Sequence, residues 1–167
     1  MKIEPLTQTA FEPFGEVIEM KGATHFTINN GFAERYDDLC ALDVREDGAV
    51  KFSIFEAKPR PDPIVIELME RHPLGSQAFY PLQIDPWLVV VCTDPQHRES
   101  YRCFQASGVQ GVNYARNVWH APLLVFKPSR FVVVDRKGPG NNLEERVLEH
   151  PLVIALSEIG QNLTKQQ

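Results

Sequence analysis

Turn-forming residues divide this chain into short runs, and they constrain its fold more than any other feature. Thirteen prolines occur among the 167 residues, which exceeds the average proline content of about 5%. Proline removes a backbone donor and is poorly tolerated inside helices and in central strands. Pairs such as Asn30-Gly31 and Asp47-Gly48 add further turns. Many short elements separated by turns favour a β-sandwich or barrel over alternating βαβ units.

One short helix is predicted near the start of the chain, and strands are predicted over the remainder. Residues 7–15 suit a helix that is capped by Thr7 and stops before Gly15. Strands are predicted over residues 50–54, 64–72, 78–80, 87–92, 102–106, 123–126, 131–135 and 152–156. The expected fold is therefore mainly β with a short N-terminal helix.

Alternating polarity assigns the faces of the strand over residues 50–54. Val50, Phe52 and Ile54 alternate with Lys51 and Ser53. This pattern predicts that the three apolar side chains face the core and that the two polar ones face solvent.

The run over residues 64–72 has a similar pattern. As a strand it would place Glu70 and His72 on one face and Arg71 on the other. Good helix formers over residues 67–71 leave a short helix as the alternative. The β-branched start and the bracketing prolines, Pro63 and Pro73, favour a strand. The partners that share the face of Glu70 and His72 are Ile64, Ile66 and Leu68.

Composition excludes several classes of protein. A net charge of -5 and a pI near 5.5 argue against a nucleic-acid partner, because phosphate contacts need a surplus of clustered basic residues. The longest apolar run, residues 87–92, is far shorter than the roughly 20 residues of a membrane span. No signal peptide is visible, and three cysteines without metal spacing suggest reduced thiols. These features predict a cytoplasmic protein. The length predicts one domain over residues 1–167, with residues 158–167 as a frayed tail.

Two segments of the chain carry side chains that could take part in catalysis, a histidine in each and a carboxylate in the first. The first, residues 70–79, carries Glu70 and His72 before a proline–glycine turn, after which Gln77 returns alongside them. The second, residues 111–122, carries His120 just before an apolar strand. One histidine beside a turn is more often part of the scaffold than functional, but two in strand-adjacent segments are a candidate site.

These two segments resemble the two motifs of the cupin barrel, which project side chains into one cavity. The cupin pattern has histidine where this chain has Glu70 and glutamate where it has Gln77. The resemblance implies a jelly-roll β-barrel. It also implies that Glu70, His72 and His120 could hold a divalent metal, with Gln77 as a weak fourth ligand.

Four blocks in register resemble the ureidoglycolate lyase family, over about residues 14 to 136. They comprise residues 28–31 with 34–36, residues 70–75 with 77–79, residues 111–114 with 116–120, and residues 135–136. The resemblance implies a cupin-like homodimer that splits ureidoglycolate into glyoxylate and urea during allantoin (purine) degradation. Nickel is the metal associated with some family members.

Such an elimination needs a base, an acid, an anion clamp and polar contacts for the ureido end. His72 and His120 are the predicted base and acid, in either order, and Glu70 either orients a histidine or is itself the base. A guanidinium matches a carboxylate, so Arg116 is the predicted substrate clamp, with Arg71 at a neighbouring loop or subunit contact. The other predicted substrate-binding residues are Gln77, Asn117, Tyr114 and Asn30.

Three other functions stay open at this level. An amidohydrolase would release ammonia from ureidoglycolate. A metal-dependent cupin oxygenase or isomerase would act on another small acid. A non-catalytic barrel would bind a small carboxylate without turnover, because fold does not fix activity.

Overall fold

The computed structural model describes residues 1–155 and residue 157, and strands make up most of its regular structure. One helix, α1 (Gln8–Phe11), is followed by a 3₁₀ turn over Glu12–Phe14. The strands are β1 (Ile3–Pro5), β2 (Gly15–Ile18), β3 (His25–Ile28), β4 (Ala33–Tyr36), β5 (Ala49–Ala57), β6 (Ile64–Arg71), β7 (Gln77–Pro81), β8 (Trp87–Cys92), β9 (Tyr101–Ala106), β10 (Gly111–Tyr114), β11 (Trp119–His120), β12 (Leu124–Val125), β13 (Ser129–Lys137) and β14 (Glu144–Ile154). The prediction of a mainly β fold is confirmed.

Twelve of these strands form two sheets. The larger sheet has the order β1-β9-β8-β11-β6-β14, with β12 paired to β8, and the smaller sheet has the order β2-β10-β7-β13-β5. Strands β3 and β4 pair only with each other, as a separate hairpin. Among residues 1–155 the two sheets share no strand pair, so the barrel is open.

The two sheets face each other across an aromatic core. Trp87 of the larger sheet meets Phe131 of the smaller sheet, with ring centroids 4.9 Å apart. Burial of each such side chain contributes roughly 1.5–3 kcal/mol. A second cluster packs on the opposite face of the larger sheet and includes Leu88, Val90 and Ile154. The larger sheet is therefore buried on both faces, as its continuous apolar strand β8 requires.

The N-terminal helix forms as predicted. The Thr7 hydroxyl accepts a hydrogen bond from the Ala10 backbone N–H at 3.2 Å, which is the N-cap interaction. Gly15 ends the segment at a φ of 139°. A Cβ there would lie 2.0 Å from the Asn113 carbonyl oxygen, so only glycine fits this close approach.

The predicted faces of β5 are wrong. Val50, Phe52 and Ile54 are 54%, 67% and 52% exposed. The alternate residues, Lys51 and Ser53, instead lie on the side of the strand that faces the larger sheet.

The reason lies in the pairing of β5 with β13. Phe131, which is fully buried, pairs with Phe55, and the Phe55 ring contacts Phe79 at a centroid distance of 5.9 Å. Phe55 therefore sets which face of β5 is internal. Lys51, four residues earlier, falls on that same face.

Strands β1, β2, β3, β4, β10 and β11 were not predicted, and β6 and β14 differ from prediction in detail. The alternation of β6 breaks after Ile66, because Met69 is fully buried and Leu68 is not. Strand β14 is far longer than the predicted run over residues 152–156, because its first half is polar and mostly exposed. Residue 156 and the predicted frayed tail over residues 158–167 lie outside the described residues. Within the described part of the chain, no helix is long and apolar enough to cross a membrane.

Candidate active site

Three side chains from the two histidine segments meet at one end of the space between the sheets. Glu70 lies in β6, His72 follows that strand, and His120 ends β11. Strand β11 is the neighbour of β6, and its His120 pairs directly with Glu70. One potential ligand atom from each of the three side chains lies within 4.8 Å of the others. We refer to Glu70, His72 and His120 as the trio.

Backbone carbonyls determine which nitrogen of each histidine carries a proton. His72 Nδ1 lies 2.6 Å from the Asn142 carbonyl oxygen, and His120 Nδ1 lies 2.9 Å from the Val118 carbonyl oxygen. A carbonyl can only accept, so each Nδ1–H donates. In the neutral form of each ring, Nε2 therefore carries the lone pair.

The two Nε2 atoms have surroundings that call for a cation or a proton. His72 Nε2 is buried and has no hydrogen-bond partner among the described residues. His120 Nε2 lies 3.2 Å from Gln77 Oε1 and 3.5 Å from Glu70 Oε1. A lone pair that faces a carboxylate oxygen is repulsive unless a positive centre lies between them. The trio thus has more acceptors than donors.

The electrostatic balance favours an ionised carboxylate beside neutral imidazole. Burial pushes the pKa of Glu70 upward, but the hydrogen bond that His120 donates when it is protonated, and the positive charges that both histidines carry in that form, leave this pKa below its usual value. Burial and the nearby His120 charge hold the pKa of His72 below its usual value. Glu70 is therefore ionised and His72 is neutral near pH 7.

Two more predicted residues lie against the trio. The Tyr114 ring stacks on the His120 ring at 4.0 Å, with an angle of 10° between planes. Gln77 pairs with Tyr114 across β7 and β10, and both side chains are buried. Burial first, and then the Glu70 charge, raise the pKa of Tyr114, so its phenol stays protonated.

The two predicted arginines are already engaged with carboxylates. Arg71 donates from Nε to Glu144 Oε2 at 2.7 Å, and its guanidinium lies 4.6 Å from the Trp119 ring centre. Arg116 is exposed and donates from Nε to Asp43 Oδ2 at 3.2 Å. Arg71 lies on the face of β6 opposite to Glu70, as the sequence predicted.

The two predicted asparagines occupy turns. Asn117 has a φ of 68°, and its backbone N–H donates to the His72 carbonyl at 3.0 Å, which joins the two histidine segments. Asn30 lies at the exposed tip of the β3–β4 hairpin. Within the described residues, its hairpin pairs with neither of the two sheets.

Sequence reasoning missed three residues at this site. Asn142 orients His72 through its carbonyl, and its Oδ1 accepts from the Leu74 N–H at 2.7 Å. Asp135 and Lys51 form an ion pair at 3.1 Å on the inner face of the smaller sheet. One signal was available in the sequence: Asp135 has the same alternation as the apolar Phe131 and Val133 of its strand, which places a carboxylate on the inner face.

An open two-sheet barrel that holds a histidine–carboxylate cluster between its sheets defines a cupin-like protein. The family model described as ureidoglycolate lyase matches residues 1–155 of the chain. The chain belongs to the ureidoglycolate lyase family.

Individual relatives agree with this assignment. The chain is 52% identical over 157 residues to "Ureidoglycolate lyase 1" of Rhizobium meliloti (strain 1021), covering 92% of each chain. It is 50% identical over 153 residues to "Ureidoglycolate lyase" of Burkholderia cepacia, covering 89% of this chain and 86% of the relative. A solved mutant of Bacillus subtilis oxalate decarboxylase aligns with 59% of this chain and 24% of that chain, at a TM-score of 0.39 and 10% identity. That likeness is too weak to bear on fold or function.

Proposed function

We propose that this protein is a ureidoglycolate lyase, which eliminates urea from ureidoglycolate to give glyoxylate. Membership of the family and relatives of that name support the proposal. The observation that carries it is the trio, in which one ring nitrogen from each of two histidines and an oxygen of an ionised carboxylate lie within 4.8 Å of one another. This arrangement can take a proton from one part of a small substrate and return it to another.

The reaction itself defines what the site must do. The central carbon of ureidoglycolate bears a hydroxyl, a carboxylate and a ureido nitrogen. Removal of the hydroxyl proton lets the oxygen form a carbonyl, while the carbon–nitrogen bond breaks and its electron pair goes to nitrogen. That nitrogen must receive a proton, because a urea anion is a poor leaving group. The products are glyoxylate and urea, with no net gain or loss of protons.

Proton transfer is assigned from the two histidine environments. His72 Nε2 is neutral and has no hydrogen-bond partner in the described part of the chain, so it takes the hydroxyl proton. His120 Nε2 faces Glu70, so a proton held between them is available to the leaving nitrogen. Glu70 stabilises the positive charge on the imidazole.

The trio also fits a divalent metal. Two imidazole nitrogens and one carboxylate oxygen are a usual donor set, and His72 Nε2, which has no hydrogen-bond partner among the described residues, has a lone pair suited to a metal. Family resemblance makes nickel the first candidate. When bound, such an ion supplies Lewis-acid polarisation of the substrate hydroxyl. Glu70, His72 and His120 are then its ligands, while the buried Gln77 and Tyr114 orient the ureido end.

Other predicted roles are assigned by position. Asn117 and Arg116 lie on the turn that precedes β11, at the rim of the site. We give Arg71 and Arg116 no direct contact with the substrate carboxylate, because Arg71 lies against Trp119 on the face of β6 opposite to Glu70, and Arg116 is an exposed side chain that contacts Asp43 and the Pro73 carbonyl. Asn30 could reach a site only through another copy of the chain.

We further propose a homodimer that forms through the exposed face of β5. Phe52, Val50 and Ile54 form an apolar stripe at an edge strand, and such patches commonly mark interfaces. Light scattering should give the mass of a dimer for wild type and of a monomer for Phe52→Glu. A monomeric wild type would refute this interface.

The proposal extends to compartment, pathway and organisation. Cys40 and Cys92 carry free thiols, which suits the reducing cytoplasm. Family resemblance indicates a role in allantoin degradation. Both sheets contribute to one site, which supports a single domain as the working unit.

Product analysis tests the proposed function. The protein is incubated with ureidoglycolate, and glyoxylate, urea and ammonia are measured together, before and after treatment with a chelator. A lyase releases glyoxylate and urea in equal amounts, whereas ammonia as the first product would identify an amidohydrolase. Loss of activity with chelator and its recovery with nickel would assign the trio as metal ligands. Activity that is insensitive to chelator would assign His72 and His120 as proton carriers.

A further inference from the structure

If Arg71 and Arg116 do not bind the substrate carboxylate, the site needs another positively charged side chain for this role. Arg71 lies on the face of β6 opposite to the trio, against Trp119, and Arg116 is exposed and contacts Asp43 and the Pro73 carbonyl. The protein as a whole is negatively charged, so a small anion needs a local positive group to bind. The unexpected orientation of β5 supplies one, because it turns Lys51 toward the inside of the barrel.

Lys51 belongs to a row of polar side chains that crosses four neighbouring strands. Lys51 pairs with Asp135 between β5 and β13, and Gln77 pairs with Tyr114 between β7 and β10. Val134 of β13 pairs with Ala78 of β7. Because these strands are antiparallel, the next residue of β13, Asp135, lies opposite the preceding residue of β7, Gln77. The spacing between strands is about 4.8 Å, so Lys51 lies roughly 10 Å from Gln77 along the sheet.

This row faces the trio. Gln77 Oε1 lies 3.2 Å from His120 Nε2, and Tyr114 stacks on the same ring. Asp135 is close enough to His72 for its charge to act on the imidazole. The row therefore forms the wall of the site opposite to Glu70, His72 and His120.

The Lys51–Asp135 pair has unused binding capacity. The Asp135 side chain is only 10% exposed. Its Oδ1 is ion-paired with Lys51 Nζ at 3.1 Å and has no hydrogen bond from any other donor in the described residues, so a lone pair of this oxygen is available to a further donor. Lys51 is 43% exposed, and an ammonium group has three N–H donors. The pair thus presents a partly exposed cation beside a more deeply buried acceptor.

We propose that Lys51 and Asp135 anchor the substrate, with the Lys51 ammonium binding its carboxylate and Asp135 Oδ1 accepting a ureido N–H. This inference rests on the proposed lyase function. The carboxylate and the ureido nitrogen are attached to the same carbon of ureidoglycolate, so an adjacent cation and acceptor match both at once. Anchoring at this wall directs the hydroxyl of that carbon toward the trio.

Steady-state kinetics with ureidoglycolate tests the role of Lys51. Lys51→Met should raise KM about 10- to 100-fold, because a charge-assisted hydrogen bond is lost, and should leave kcat within about threefold. Lys51→Arg should recover most of the loss. Lys127→Met is the matched control, because Lys127 pairs with Asp85 on the surface at 2.7 Å, and its KM should equal that of wild type. Asp135→Asn should raise KM, with urea denaturation as the check on folding.

Salt dependence separates binding from a merely structural role. The KM of wild type should rise with ionic strength, because salt screens the attraction between Lys51 and an anion, and the KM of Lys51→Met should respond less. An unchanged KM in Lys51→Met, or a fall in kcat alone, would overturn the role of Lys51 while the proposed function stands. A wild type that releases neither glyoxylate nor urea would instead contradict the proposed function, and with it this inference.

Discussion

Two clusters of half-buried charged groups in this protein differ in how their polar atoms are satisfied. In the first, Arg102 of β9 donates to both oxygens of Glu4 in β1, at 3.1 and 2.9 Å, and to the Ala10 carbonyl at 2.7 Å. The same guanidinium lies 4.7 Å from the Phe104 ring centre. Each of its three nitrogens has an acceptor, so the Arg102–Glu4 cluster is closed.

The trio is the open counterpart. His72 Nε2 has no partner in the described residues, and His120 Nε2 faces two oxygens. Leaving a buried polar group unsatisfied costs about 1–3 kcal/mol, so such a group is retained where a ligand completes it. Satisfied charges at the first cluster therefore stabilise the fold, whereas the unsatisfied groups of the second are those that we propose to act on the substrate.

The largest expected effect comes from the open cluster. His72→Ala and His120→Ala should each lower kcat for ureidoglycolate about 100- to 10,000-fold, the usual contribution of a positioned acid or base. Release of glyoxylate and urea is the measurement, and thermal unfolding confirms that each variant is folded. His97→Ala is the matched control, since His97 is exposed and its imidazole pairs with the surface carboxylate of Asp94 at 2.8 Å. Wild-type turnover in either trio variant would remove that residue from the chemistry.

A smaller effect, on stability and not on activity, is expected at the Arg102–Glu4 cluster. Arg102→Met should lower the free energy of unfolding by about 1–2 kcal/mol, because a bidentate ion pair is lost from a partly exposed position. The value of kcat/KM should stay within about twofold of wild type, since a residue outside the site does not stabilise the transition state. Denaturant unfolding and the product assay measure the two quantities. A strong loss of activity without loss of stability would erase the distinction between the clusters.

The smallest effect concerns pH. Hydrogen bonds from Arg102 hold the pKa of Glu4 below its usual value, against the opposing effect of burial. A carboxyl whose pKa is lowered on folding stabilises the protein above its unfolded pKa of about 4.3, and this contribution is lost as the pH falls through the folded pKa. The stability advantage of wild type over Glu4→Gln should therefore shrink between about pH 6 and pH 3. An advantage that stays constant across this range would contradict the pairing.

Much of the fold followed from local signals. Proline and glycine turns predicted many short strands, and Thr7 and Gly15 predicted the limits of the segment formed by α1 and the 3₁₀ turn that follows it. The long strand β14 was missed beyond its last residues, because its first half carries a polar pattern that resembles a loop. Its partner β6 was recognised because buried branched residues begin it.

The site was predicted in part. Glu70, His72 and Gln77 belong to one segment, and their approach to His120 was expected from the cupin resemblance. The partners that engage Arg71 and Arg116 could not be predicted, because Glu144 and Asp43 are each 73 residues away from them along the chain.

The sequence by itself determined a turn-rich β protein and the two segments that carry its histidines, because turn residues and polar spacing act over a few positions. Only the tertiary structure decided which face of β5 is internal, which nitrogen of each histidine is free, and which cations are already paired. Those features depend on pairing between distant strands, such as Phe55 with Phe131, and on carbonyls that the folded backbone brings to His72 and His120. A register shift of one residue would reverse both faces of β5, and no local pattern in residues 50–54 specifies that register.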